Sequence, residues 1–175
     1  MISFIAKLLV ALNSNSRPGE LASGIAFGLL LAFIPAGNLL WVAVFIIAFF
    51  IKHNIASLLL SMGLFRLFIP IFDPLLDRLG GVILELPVFQ DFFTALYNIP
   101  FLSYSNFNNT VVMGGFLLGI VLWLPVFFLF VVLIKIYRKK IAPKVVNSKI
   151  MKFLKKIPVV SKISAYIQKL SFLTS

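Results

Sequence analysis

The apolar residues of this chain fall into four runs separated by short polar or charged stretches. Residues 111–134 form a run without a charged side chain. Because about 20 apolar residues cross the hydrocarbon core of a bilayer, this run predicts a complete transmembrane helix. Pro125 predicts a kink within it, and Gly115 and Gly119 predict close packing against another helix.

An earlier run, residues 21–51, is interrupted by Pro35, Gly37 and Asn38. Each half, residues 21–34 and residues 39–51, is shorter than the core is thick. The pattern predicts a broken helical hairpin that enters and leaves the membrane on one side, or two strongly broken helices. The alternative is one long, kinked and tilted helix. Short apolar segments with such breaks often border a transporter-type site.

Two weaker runs lie between these segments. Residues 55–72 contain Arg66 and Pro70 but are just long enough to predict a crossing helix. Residues 80–99 carry Glu85, Pro87 and Asp91, so they predict either a second partial insertion or a surface helix.

The composition excludes a soluble globular domain. Of the 175 residues 61% are hydrophobic and 12% charged, and the mean hydropathy is +1.09, whereas soluble domains are about 25% charged. With no Cys, one His and five acidic residues, the chain lacks the groups for thiol chemistry, a metal cluster or a histidine-based triad. We therefore expect no enzyme, catalytic residue, metal or cofactor.

The charges are distributed unequally along the chain. All acidic residues precede residue 92, and residues 1–134 carry as many basic as acidic side chains, so the formal net charge of +11 lies after residue 134. The positive-inside rule therefore predicts a cytoplasmic C-terminus. Lys7, Arg17 and Lys52 then lie on the cytoplasmic side as well, and the loop of residues 99–109 lies on the opposite side.

This asymmetry divides the chain into a transmembrane domain, residues 1–140, and a basic amphipathic cytoplasmic tail, residues 141–175. Apolar residues recur at helical spacing in the tail, and Lys149, Lys152, Lys156 and Lys162 lie among them. Such a helix is expected to bind the anionic leaflet of a membrane. The expected partners are membrane lipids and a second copy or another membrane protein. Nucleic acid is not expected, because no nucleic-acid-binding module is recognisable.

Ionisable side chains at membrane depth are candidates for function. Arg66, Asp73 and Asp77 have the spacing that places three residues on one face of a continuous helix, and they form the candidate substrate-binding cluster. Pro70 and Pro74 argue against a continuous helix. The alternative role of the cluster is a charged pair that fixes the outer end of a helix at the headgroups.

Glu20 and Asn38 complete the candidate substrate site, where they would face a polar cavity at the two ends of the broken hairpin. The alternative for Glu20 is a helix-start signal that complements the helix dipole. The small residues Gly24 and Gly28, with alanines between and before them, predict close backbone packing. His53 is interpreted as an interfacial polar residue.

Several motifs resemble one bacterial family of membrane proteins, known as domain of unknown function number two thousand and sixty-two. They are PGELASGIAFG at residues 18–28, IPAGN at residues 34–38, and Asn54. FNNTVVMG at residues 107–114 is similar to a short Gram-negative subgroup. The resemblance covers about residues 10–140, although Asp73-Pro74 stands where the family pattern has Asn-Pro. It implies a multi-pass inner-membrane protein with a broken helical hairpin.

These inferences predict an all-α, polytopic integral membrane protein with a broken helical hairpin and a basic amphipathic C-terminal helix. The hypothesis for its function is non-enzymatic handling or transport of a lipid or lipid-linked anion. Arg66 would bind the anion, and Asp73 and Glu20 would couple protons. The alternative is a membrane scaffold whose small-residue faces bind another protein and whose tail anchors the assembly.

Overall fold

A computed structural model of the chain describes residues 16–141, and every regular element in this part is helical. Except for Ile141, the basic tail predicted over residues 141–175 lies outside the described residues. The helices are α1 (Pro18–Phe33), α2 (Leu39–Phe50), α3 (Ile55–Arg66), α4 (Ile69–Leu84), α5 (Pro87–Tyr97) and α6 (Thr110–Ile136), with a 3-10 turn at Leu102–Ser105 and a π-helical turn at Tyr137–Ile141. The expected all-helical class is confirmed for this part of the chain.

Helices α1 and α2 replace the single long helix that was the alternative for residues 21–51. The chain reverses at residues 34–38, and α2 brings it back to the start of α1. There the Asn54 amide donates to the Glu20 carbonyl at 3.0 Å, and Ser57 Oγ donates to the Leu21 carbonyl at 3.1 Å. The two helices therefore form a hairpin, and the segment that follows α2 is hydrogen-bonded to the start of α1.

Helix α1 is the centre of the bundle. Every residue from 21 to 33 is buried, with α3 on one side and α6 on another. A Cβ atom on Gly24 would lie 2.6 Å from the Asn54 carbonyl oxygen, and one on Gly28 would lie 2.8 Å from that of Leu58. Residue numbers rise together in these contacts, so α1 and α3 are parallel. The close backbone packing expected at both glycines is confirmed.

Helix α6 runs antiparallel to α1. A Cβ atom on Gly115 would lie 2.8 Å from the Phe33 carbonyl carbon, and one on Gly119 would lie 3.2 Å from the Leu30 Cα. These two glycines thus pack against another helix as expected. The helix continues through Pro125 without ending.

The prediction of one continuous helix over residues 55–72 is wrong. Helices α3 and α4 meet at an angle of 84° around Leu67 and Phe68. Pro70 explains the break, because proline has no amide hydrogen and its ring clashes with the carbonyl four residues earlier. Helix α4 then packs closely on α6, since a Cβ atom on Gly80 would lie 2.6 Å from the Thr110 carbonyl carbon.

For residues 80–99 the structure has the end of α4 and a separate helix, α5, which contains no buried residue. This exposure fits both expected forms, so partial insertion and a surface position both stay predictions for α5. The loop between α5 and α6 contains two residues in the left-handed backbone region, Phe101 with φ 71° and Asn106 with φ 53°. It folds back so that Phe107 is buried against Phe93.

Within residues 16–141, one helix, Thr110–Lys140, is long and apolar enough to cross a membrane, and α3 with α4 would provide a second span only as a bent pair. Exposed large hydrophobic side chains also outnumber the buried hydrophobic ones in this part of the chain. Large exposed apolar surfaces mark membrane or protein contacts. The described fold is thus consistent with membrane association.

Candidate functional site

Arg66 ends α3 beside the turn of the hairpin. Its Nη1 donates to the carbonyl oxygens of Ala32 at 2.7 Å and Ile34 at 2.8 Å. The last carbonyls of a helix have no partner within the helix, and the helix dipole places partial negative charge there. The half-buried guanidinium therefore provides hydrogen bonds to the carbonyl groups at the end of α1 and connects that end to α3.

The same guanidinium retains free hydrogen-bond donors. An arginine has five N–H donors, and the two contacts to α1 involve Nη1 alone. The ion pair found within residues 16–141 joins Lys52 and Glu20, so no described carboxylate neutralises Arg66. Its Nε and Nη2 donors are therefore available to an acceptor from outside this part of the chain.

The structure does not keep the predicted cluster on one helix. Asp73 and Asp77 lie on α4, beyond the 84° bend that follows Arg66. The three residues therefore share no continuous helical face, in agreement with the breaks that Pro70 and Pro74 indicated. Asp77 accepts a hydrogen bond from Thr110 Oγ1 and thereby links α4 to α6. Neither carboxylate is within ion-pair distance of Arg66 in the described structure.

Asn38 lies at the same turn as Arg66. Its Nδ2 donates to the Pro35 carbonyl at 2.7 Å, and its Oδ1 accepts from the Trp41 amide at 2.8 Å. The side chain is buried, and both ends of its amide hold the turn and cap α2. Trp41 Nε1 adds a hydrogen bond to the Leu31 carbonyl at 3.0 Å. Asn38 thus stabilises the hairpin turn, and Arg66 donates to carbonyls at the start of the same turn.

Glu20 lies at the opposite end of the hairpin. Its Oε2 accepts from the Arg17 amide at 3.2 Å, and its Oε1 lies 3.7 Å from Lys52 Nζ. The helix-start interpretation of Glu20 is therefore confirmed. Because Lys52 is 82% exposed, the ion pair is a surface contact worth little stability. Of the five predicted substrate-site residues, only Arg66 and Asn38 meet at one turn, and the four lysines assigned to membrane binding lie outside the described residues.

Two buried polar groups were not indicated by the sequence. Ser23 Oγ and Trp123 Nε1 have no hydrogen-bond partner in the described structure. Trp123 packs edge-on against Phe27, at 5.3 Å between ring centroids, and Ser23 lies one helical turn before Phe27 on α1. A serine among small residues indicates only close helix packing, and an isolated tryptophan in an apolar helix indicates only a large apolar side chain. Nothing in the sequence therefore marked either group.

The geometry defines a helical-bundle protein built around a buried hairpin helix with an arginine at the hairpin turn. Residues 3–142 match the family described as "Uncharacterized protein conserved in bacteria (DUF2062)", and the chain belongs to that family. An uncharacterized protein of Treponema pallidum (strain Nichols) is 37% identical over 158 residues, which are 90% of this chain and 98% of the relative. No solved structure matches the chain. The resemblance noted from the motifs is thereby confirmed.

Proposed function

We propose that this chain is a multi-pass inner-membrane protein that binds the phosphate of a lipid or lipid-linked anion at Arg66. The observation that carries the proposal is the guanidinium at the hairpin turn, which has free donors and no described carboxylate partner. Charged side chains at membrane depth are costly and mark functional sites by default. The arginine fork matches two phosphate oxygens, which a lysine ammonium does not.

The distribution of charge between the two ends of the bundle supports an orientation. One end contains the start of α1 and the end of α6, and it is predominantly basic. The other end contains the hairpin turn, α4 and α5, and acidic side chains outnumber basic ones there. The basic end carries Arg17, Lys52, Lys135, Arg138, Lys139 and Lys140 with Glu20, and the other carries Asp73, Asp77, Glu85 and Asp91 with Arg66 and Arg78. The positive-inside rule then places the basic end in the cytoplasm.

The length of α1 supports a hairpin that penetrates the membrane without crossing it. Its 16 residues span about 24 Å, less than the core thickness of about 30 Å. Helix α6 has 27 residues and spans about 40 Å. In this arrangement α6 and the bent pair α3–α4 cross the bilayer, and the hairpin turn holds Arg66 near the leaflet opposite the cytoplasm.

The orientation is tested by single-cysteine labelling, for which the cysteine-free chain needs no background substitutions. We expect Lys52→Cys to react with a membrane-impermeant maleimide only from the cytoplasmic side, and Tyr104→Cys only from the periplasmic side. Both positions are exposed. Labelling of both from one side would contradict the crossing of α3–α4.

The anion site is tested with nanodiscs that contain dansyl-labelled phosphatidic acid or dansyl-labelled phosphatidylcholine. Energy transfer from the two tryptophans measures lipid occupancy. We expect Arg66→Gln to weaken the preference for phosphatidic acid about tenfold, the effect of losing one charged hydrogen-bonding partner. Arg66→Lys is expected to retain only part of the preference, because the fork is lost.

Arg78→Gln is the matched control, since it removes the same charge from the exposed surface of α4 at the same end of the bundle. Equal losses in the Arg66 and Arg78 variants would show that only the net charge attracts the lipid, and the site would be rejected. Circular dichroism of each variant separates loss of binding from loss of fold.

A scaffold is the second candidate, and one observation bears on its form. Gly24, Gly28, Gly115 and Gly119 are all covered by helices of the same chain, so a protein partner would have to bind elsewhere. Helix α2 offers an exposed apolar face that includes Ile46 and Phe50. Disulfide or maleimide cross-linking of an Ile46→Cys variant in native membranes to one defined protein, with the lipid preference absent, would favour the scaffold.

A further inference from the structure

An open cleft of about 280 Å³ lies between α5 and the loop that precedes α6. It is separate from the hairpin turn and from the groups that hold it. Aromatic rings and side-chain amides form most of its walls, Leu84 and Thr94 complete them, and none of its lining residues is charged. The cleft is at the small end of the size range for ligand pockets.

Two phenylalanine rings form the fixed apolar wall of the cleft. The rings of Phe93 and Phe107 are nearly parallel, at 28°, with centroids 6.1 Å apart. Phe107 is 7% exposed, so its position is set by packing. The left-handed Phe101 and Asn106 enclose the 3-10 turn that returns the loop to α5. A bulky residue with positive φ is strained and is retained where the surroundings demand it.

Neutral hydrogen-bonding groups surround this wall. Gln90 Nε2 donates to the Leu84 carbonyl at 3.1 Å, which fixes the side chain and leaves its oxygen as an acceptor. The amides of Asn98 and Asn108 also line the cleft, and neither has a side-chain partner within residues 16–141. Each therefore presents one acceptor and two donors, and Tyr97 adds a hydroxyl.

We propose that this cleft binds a neutral, polyhydroxylated ring of the size of one hexose. Such a ring has an apolar C–H face that packs on an aromatic ring, and its hydroxyls both donate and accept, as an amide does. A phosphate or carboxylate would need a cationic partner, which the lining lacks. An ammonium ion would be left without a carboxylate among the lining residues. The proposal is independent of the anion site at Arg66, because the two sites share no residue.

The test is saturation-transfer NMR on the full chain in nanodiscs, with methyl glycosides of glucose, galactose and N-acetylglucosamine as probes and with choline and inorganic phosphate as competing classes. We expect saturation transfer to the ring protons of at least one glycoside. The double variant Asn98→Ala/Asn108→Ala is expected to weaken that binding about tenfold or more, since two hydrogen-bonding amides are lost.

Asn109→Ala is the matched control. Asn109 adjoins Asn108 but caps α6 by accepting from the Val112 amide at 3.1 Å, and it does not line the cleft. Glycoside binding should survive in this variant and in Arg66→Gln, so failure here is distinguishable from failure at the anion site. No transfer to any glycoside, transfer unchanged in the double variant, transfer only to choline, or loss of the glycoside signal when inorganic phosphate is added would overturn the proposal.

Discussion

The two helices of the hairpin are both apolar, and α2, the more apolar of the two, is the more exposed. Residues 21–33 of α1 are all buried, whereas α2 has only Val44 and Ala48 buried and leaves most of its side chains on the surface. The difference lies in side-chain size. Helix α1 carries glycines that allow α3 to approach its backbone, and α2 has none and carries stacked aromatic rings at Trp41 and Phe45.

This contrast shows why hydropathy does not identify the core of such a protein. In water, apolar side chains are driven inside, but in the membrane location proposed above the lipid tails are as apolar as leucine and exert no such force between helices. Association then depends on van der Waals contact and hydrogen bonds, and small residues permit both. The Ser57 and Ser61 hydroxyls opposite Gly24 and Gly28 bond to backbone carbonyls in this interface.

The largest expected effect tests the close packing of α1. Gly28→Leu should destabilise the protein by about 3 kcal/mol or more, because a side chain there collides with the backbone of α3. An SDS titration in mixed micelles, followed by tryptophan fluorescence, measures the loss. Gly63→Leu is the control, since a Cβ atom there meets nothing within 4 Å. Equal stability of the two variants would refute the central position of α1.

Truncation of a buried leucine of α1 should have the next largest effect. Leu31 is 0% exposed, and Leu31→Ala should cost about 2 kcal/mol. This is the low end of the range for soluble cores, because the cavity remains but the transfer from water is absent. The same SDS titration provides the measurement. A loss under 0.5 kcal/mol (roughly the surface value) would mean that α1 packs loosely.

A substitution in the turn that joins α1 and α2 should have an intermediate effect on the free energy of unfolding. Asn38→Ala removes the cap of α2 and the hydrogen bond to the Pro35 carbonyl, so we expect a loss of about 1 kcal/mol. Asn108→Ala, at an exposed asparagine that caps no helix, should leave stability unchanged. If both substitutions had the same effect in SDS titrations, the turn would not depend on its cap.

The smallest effect is expected on the exposed face of α2. Ile46 is 51% exposed, and Ile46→Ala should change stability by less than about 0.5 kcal/mol, as is typical of surface positions. The difference between the stability losses of Ile46→Ala and Leu31→Ala in the same SDS titration measures how differently α2 and α1 are packed. A loss as large as that of Leu31→Ala would show that a partner or a second copy covers this face.

Much of the local structure was predictable from short-range chemistry. The interruption at Pro35 and Gly37 predicted the break between α1 and α2, and Glu20 marked the start of α1. The glycine spacing in α6 predicted a packed face. These signals are local, because proline, glycine and capping side chains act on the backbone within one helical turn.

The candidate site was predictable only in part. The sequence singled out Arg66 as an unusual charge, and its role in binding stays a prediction. Arg66 is separated from Asp73 and Asp77 on α4 by the bend at Leu67 and Phe68. Its actual contacts are two backbone carbonyls of α1. A backbone carbonyl carries no side-chain signature, so no sequence pattern could have identified these contacts.

The sequence by itself predicted an apolar, helical transmembrane domain, the break between α1 and α2, and the start of α1 at Glu20. Only the tertiary structure decided which apolar helix is buried, which end of α1 meets Arg66, and that α5 and the following loop enclose a cleft. The physical reason is the distance along the chain over which each kind of interaction acts. Backbone preferences and capping act between neighbours along the chain, whereas burial among equally apolar helices depends on the shapes of surfaces that the sequence brings together only by folding.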